Sequence, residues 1–367
     1  MTQQKRGGGR SMFQDFPIGP QWQLTAEDVV RIAGDFGLRL NGTPPQPRAG
    51  ATNGIARIAT TTGDWIVRVH RPWTTPERLA GVHQALAFLR AAGHPIPAVL
   101  ATPTGQTWTT LQDRLVEVNA FIPSDASADN NAHLSVALIF LARLHTTLAT
   151  LPPDAIPPPL YSAYATPAAM LAGLAETDRS FAALRGQPDH AQAIAIRDTA
   201  RGLLGTLATA RGRYEAHLPR TYIHGDYGGD NILFRDRRIA AILDFDFLAH
   251  RERVADLART LYWGTDAYGA ARPAALGFDE LARLIALLYH YQHASPQPLT
   301  AAELRALPYE MARIPLFPIA EAGYLPTNTD NLASLRQTLA AATQLGRATW
   351  LAAHGGRLGA QLAELLD

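Results

Sequence analysis

One stretch of this chain has few ways to fold. Tyr222-Ile-His-Gly-Asp-Tyr-Gly-Gly-Asp-Asn231 crowds glycines and hydrogen-bonding side chains together, a composition that suits a tight loop rather than a helix or strand. It runs into Ile232-Leu-Phe234, a charged Arg235-Asp-Arg-Arg238, then Ile239-Ala-Ala-Ile-Leu243 and Asp244-Phe-Asp-Phe247. Two apolar runs around a short charged segment predict a β-hairpin. With residues 237 and 238 as a two-residue connection, Asp236 pairs with Ile239, and counting outward sets Asn231 opposite Asp244. Opposed residues have Cβ atoms about 4.5–5.5 Å apart, close enough for two oxygen ligands to share one hard cation. A single Asp or Asn beside glycine is usually a turn former. Here His224, Asp226, Asn231 and Asp244 fall together around one loop and hairpin, which marks a site.

Upstream, Thr25-Ala-Glu-Asp28 reads as a helix start, and the residues before it, 1–24, as a flexible tail. Residues 55–61 and 65–70 are strand candidates, with Gly63-Asp64 as the turn between them. Trp65, Val67 and Val69 then share one face, and Ile66, Arg68 and His70 the other. A helix follows from Thr75 with Pro76 in its first turn and stops near Gly93. Two more strands are expected near 107–111 and 115–121. Beyond Pro123 the chain turns Ala- and Leu-rich and helical, broken at Pro152 to Pro159. The order is a small sheet with one helix (25–122), then a mainly helical lobe with an embedded hairpin (123–367), which is α+β and bilobal.

Composition removes several alternatives. There is no cysteine, so disulfides, thiolate metal sites and a Cys nucleophile are excluded. With 33 basic and 32 acidic residues, net charge is +1, which offers no global attraction to nucleic acid or an anionic membrane. The apolar stretch over 132–151 carries Arg143 and His145 and reads as a buried helix. His145 lies on its Leu134, Leu138, Leu141, Leu144, Leu148 face and reads as a core histidine. His290 and His293 have no evident third ligand. The polar, Gly-rich start lacks the apolar core of a secretory signal, so the cytoplasm is the expected location.

His224-x-Asp226-x4-Asn231 has the spacing of the protein-kinase catalytic loop. The whole segment resembles the aminoglycoside phosphotransferase and choline kinase group of kinase-like enzymes, whose signature is H-G-D-x4-N and a hairpin ending in D-F-x or D-W-x. The resemblance covers roughly residues 45–320. Asp256-Leu-Ala258, Trp263, the stretch from Pro298 to Pro308, and Gly50-Ala-Thr-Asn53 before a strand are similar to the type II homoserine kinase branch.

That resemblance implies a protein-kinase-like fold that uses ATP and Mg2+ to phosphorylate a small hydroxyl compound such as homoserine, an amino alcohol or an aminoglycoside. It implies Asp226 as catalytic base, Asn231 and Asp244 as metal ligands, His224 bracing the loop, and Asp256 anchoring its backbone. Arg68 would meet the α- and β-phosphates, Gly50 and Asn53 would cover them, and Asn119 and Phe121 would lie near adenine. Tyr262, Trp263, Asp266, Tyr289 and Tyr309 are candidates for the acceptor pocket. The chain departs from the group in one helix. The slot where relatives place a Glu to hold the phosphate-binding cation is Val82, flanked by His83 and Gln84. Two rival readings remain: a bacterial protein Ser/Thr kinase, and a non-catalytic nucleotide-binding pseudokinase. Only residues 245–255 separate Asp244 from Asp256 and no A-P-E follows, which favours a compact acceptor.

Overall fold

Thr25 and Asp28 cap each other reciprocally, side chain to backbone amide, and so start helix α1 (Ala26–Asp35). After it come β1 (Gln46–Arg48), β2 (Gly54–Thr60), β3 (Gly63–Val69), α2 (Pro76–Ala91), β4 (Thr109–Leu111) and β5 (Arg114–Ala120). The computed structural model describes residues 24–48, 53–71, 73–128, 130–159, 165–182, 184–264, 275–324 and 331–366. Gly50, Asp266 and all but Leu24 of the expected tail lie outside these.

The five strands form an antiparallel sheet in the order β1-β2-β3-β5-β4. Alternation divides its faces. Ile58, Val67, Val69, Val116 and Val118 are buried with Val29 and Ile32 of α1 and with Phe36 just after it, so that helix covers the outer face. Arg68, paired with Ile55 and Glu117, lies on the opposite face with Ile66, paired with Arg57 and Asn119. The β2–β3 turn falls on Thr61-Thr62, not Gly63-Asp64, because Thr60 pairs with Gly63. The Thr60 hydroxyl donates to the Gly63 carbonyl and accepts from the Thr62 amide, which closes the turn early.

The large lobe holds β6 (Ala126–Ala128), α3 (Asn131–Leu148), α4 (Pro167–Ala182), α5 (His190–Arg211), β7 (Arg220–Ile223), β8 (Gly229–Arg235), β9 (Arg238–Ile242) and β10 (Ala249–Glu252). Then follow α6 (Val254–Gly264), α7 (Phe278–Ala294), α8 (Ala301–Arg313), α9 (Phe317–Tyr324), α10 (Asn331–Ala341) and α11 (Leu345–Leu366). The leucine face expected on α3 is fully buried at its centre. The same core takes in Val82, Ala85 and Leu89, so α2 packs with the large lobe although it follows the small sheet in sequence. Neither β6 nor β10 is evident in the sequence. Each is only three or four residues long and exists through its partner, β6 on β8 and β10 on β7.

The hairpin forms with a different register from the one expected. Its two-residue turn is Asp236-Arg237, both at positive φ (50° and 64°), and Arg235 pairs with Arg238. Asp tolerates such a conformation better than the Arg-Arg pair first assigned to the turn. The earlier turn by itself would set Asn231 opposite Ile242; a bulge beyond Phe234 then shifts the register by one, so Leu233 pairs with Ala241. Asn231 consequently sits opposite Leu243, whose amide donates to the Asn231 carbonyl, and not opposite Asp244.

Candidate active site

The loop between β7 and β8 is held from beneath by one buried carboxylate. Asp256, in the first turn of α6, accepts the His224 amide on Oδ2 and the Gly225 amide on Oδ1, both at 2.8 Å. Its Oδ2 also lies 3.2 Å from Nε2 of His145, whose Nδ1 is 2.8 Å from the Tyr291 hydroxyl. His145 thus braces the anchor. Both ring nitrogens of His224 are occupied by backbone. Nδ1 accepts the Asp226 amide at 3.1 Å, and Nε2 bonds the Leu243 carbonyl at 2.8 Å, tying loop to hairpin in one tautomer. Gly225 has φ 86°, and a Cβ there would stand 2.5 Å from the Phe247 carbonyl oxygen, so only glycine lets these segments touch.

These constraints aim the acidic side chains at the small sheet. Asn231 donates its amide to the Asp226 backbone carbonyl (2.9 Å) and to Asp226 Oδ2 (3.0 Å), which leaves its side-chain oxygen as the atom able to coordinate a cation. Asp226 Oδ1 is ion-paired with Arg259 of α6. Asp244, at φ 62°, leaves the strand path and bonds Nη2 of Arg68 at 2.6 Å. Asp246 takes the same Nη2 at 2.8 Å and the Asn53 side-chain amide at 2.8 Å. Arg68, Asn53, Asp226, Asn231, Asp244 and Asp246 therefore meet between the lobes.

The electrostatics separate the two carboxylates. Burial pushes the Asp226 carboxyl up, and Asp244 pushes it further, against the pull of Arg259. Burial also acts to raise Asp244, but Arg68 outweighs it and holds that carboxyl below its ordinary value. Their surroundings thus push the two carboxyls in opposite directions. Asp244 and Asn231 offer hard oxygen donors of the kind magnesium prefers. Among the described residues no cluster of three or more His, Cys, Asp or Glu forms a metal cage.

Other expected residues have different settings. The Phe121 amide is bonded to the Asp64 carbonyl, and its ring lies under the Arg57 guanidinium at 4.0 Å, so this amide is not a spare donor for a base. Asn119 turns its amide to Glu117 at 2.9 Å. Tyr262 is fully buried and bonds Gln344, and Tyr309 stacks on Tyr214. Val82 faces the large-lobe core and could not present an acid to Arg68. Glu117 stands there instead, with Oε1 3.7 Å from Arg68 Nη1. Glu117 and Arg259 were not singled out from the sequence as site residues. For Glu117 a signal existed, since it is the one acid in β5 and pairs with Arg68.

The model of the phosphotransferase enzyme family matches residues 43–288, more than half of the chain. The chain belongs to the phosphotransferase enzyme family. It is 28% identical to the homoserine kinase of Caulobacter sp. (strain K31) over 78% of its own length and 82% of that protein's. Its fold is similar to that of an aminoglycoside phosphotransferase from Alicyclobacillus acidocaldarius (TM-score 0.60, 15% identity, covering 95% and 98% of the two chains). It is similar also to that of a microcompartment-associated aminopropanol kinase (TM-score 0.62, 16% identity, 90% and 99%). The protein-kinase-like fold expected for this phosphotransferase is thus the one it has. No helix among the described residues is long and apolar enough to cross a membrane.

Proposed function

We propose that this phosphotransferase moves the γ-phosphoryl group of ATP, with Mg2+, to a hydroxyl of a small acceptor, homoserine and related amino alcohols first among the candidates. The observation that carries the reading is the convergence of Asp226, Asn231 and Asp244 with Arg68 of the small sheet. Phosphoryl transfer asks for positioning and charge neutralisation more than covalent chemistry. Asp226 orients the acceptor hydroxyl and accepts its proton as attack proceeds. Its raised pKa makes it a better match for that task than an ordinary carboxylate. Arg68 adds fixed positive charge for phosphate oxygens. Asn231 and Asp244 would hold magnesium, which when bound neutralises charge on the phosphates.

Arg259 bears on the charge of the acceptor. Its guanidinium, paired with Asp226, stands beside the expected position of the acceptor hydroxyl, where a carboxylate on the acceptor would find a bidentate partner. The likeness to a homoserine kinase points the same way. A protein acceptor is less suited, because β10 pairs with β7 and pins the segment after Asp244 where a peptide platform would have to form. In a screen of hydroxyl compounds for ADP release, homoserine or another carboxylate-bearing alcohol should give the highest kcat/KM. Asp226→Asn should lower kcat about 10²–10⁴-fold while ATP binding persists. Full turnover in that variant would refute the base assignment, and ATP binding without transfer to any acceptor would favour a pseudokinase.

A further inference from the structure

Glu117 is a charged residue that the reaction described above does not use, yet it is 4% exposed and in the middle of the small sheet. A carboxylate in such a place is costly unless its charge is met on all sides. Four groups meet it. His83 Nε2, from α2, lies 2.6 Å from Oε2, and His70 Nε2, from the end of β3, lies 3.3 Å away. Asn119 donates to Oε1 at 2.9 Å, and Arg68 Nη1 is 3.7 Å from the same oxygen. His83 is itself fixed, its Nδ1 being 2.7 Å from the Thr107 hydroxyl. Burial raises the Glu117 carboxyl, but the two histidines overcome it and hold it well below its ordinary value.

We infer that Glu117 is the positioning residue for Arg68, and that α2 acts on that arginine through His83 and Glu117 rather than through an acid of its own. The argument is geometric. Arg68 is shared between carboxylates of two lobes: Asp244 and Asp246 on one side and Glu117 on the other. Asp244 cannot give the same oxygen wholly to both a divalent cation and a guanidinium. Glu117 belongs to the strand paired with that of Arg68, so its hold on the arginine does not depend on what Asp244 binds. His83 then makes the position of α2, which packs in the large-lobe core, felt at Arg68 through two contacts.

This inference rests on the phosphoryl-transfer reading, in which Arg68 meets nucleotide phosphates. Calorimetric titration of the full chain with Mg-ATP and, separately, with adenosine tests it. Glu117→Gln should weaken Mg-ATP binding about fivefold, through loss of one close charge pair, and leave adenosine affinity unchanged. The KM for ATP should rise more than kcat falls. Glu117→Asp, which keeps the charge one methylene short, should lie between, and serves if the glutamine variant does not fold. His83→Glu combined with Glu117→Gln returns an acid from the helix side and should recover part of the ATP affinity. Equal weakening of ATP and adenosine, or ATP affinity unchanged in both single variants, would overturn the role of Glu117. Wild-type protein that bound no nucleotide would instead overturn the kinase reading itself.

Discussion

Asp256 has no solvent exposure, and its two oxygens are divided between consecutive amides of the β7–β8 loop, His224 and Gly225. Asparagine has the same shape but only one acceptor oxygen, so one of the two N–H groups would face an NH2 group instead. Asp256→Asn should therefore cost about 2–3 kcal/mol of stability in urea denaturation. Because the loop carries Asp226, kcat should also fall, with ATP affinity little changed. The same residue-level view accounts for Arg68. Its guanidinium lies within reach of three carboxylates, so an arginine can serve where a single point charge would be less well placed.

At the scale of the element, the β8–β9 hairpin sets the geometry of the site. Its turn places Asp236 and Arg237 at positive φ, and its bulge brings Leu243 opposite Asn231, leaving Asp244 free to turn out of the strand. An L-residue held in the left-handed region costs roughly 1 kcal/mol relative to glycine. Arg237→Gly should thus stabilise the protein by about 0.5–1 kcal/mol in chemical denaturation, with kcat/KM unaltered. A destabilised variant would mean that the arginine side chain contributes more than its backbone costs.

Across the whole molecule, α2 joins the lobes. Val82, Ala85 and Leu89 pack in the large-lobe core, and Arg78 of the same helix donates to the carbonyls of Pro157 (2.7 Å), Asp246 (2.9 Å) and Leu248 (2.6 Å). Burial lowers the Arg78 pKa to about 10, against the pull of Asp246, so the guanidinium remains charged near neutrality. Methionine in its place would fill space but leave three carbonyl oxygens without that donor. Arg78→Met should lower global stability by about 3 kcal/mol and speed hydrogen exchange of α2 amides. Unchanged exchange in α2 would show that the apolar packing alone fixes the helix.

The sequence alone determined the tight loop at 224–228, the existence of the hairpin, the helix starts at Thr25 and Thr75, and the leucine face of α3. Each of these depends on residues close along the chain: caps, glycines and periodic apolar side chains. The tertiary structure decided the rest. A turn one residue earlier than expected moved the partner of Asn231, a one-residue bulge returned part of that shift, and no local pattern announces a bulge between alternating apolar residues. The partners of Arg68 and Asp226, Glu117 and Arg259, come from other elements, and α2 belongs to the core of the lobe it does not adjoin in sequence. Buried charge must be met by whatever the packed chain brings within a few ångströms, and that proximity exists only once the elements have docked.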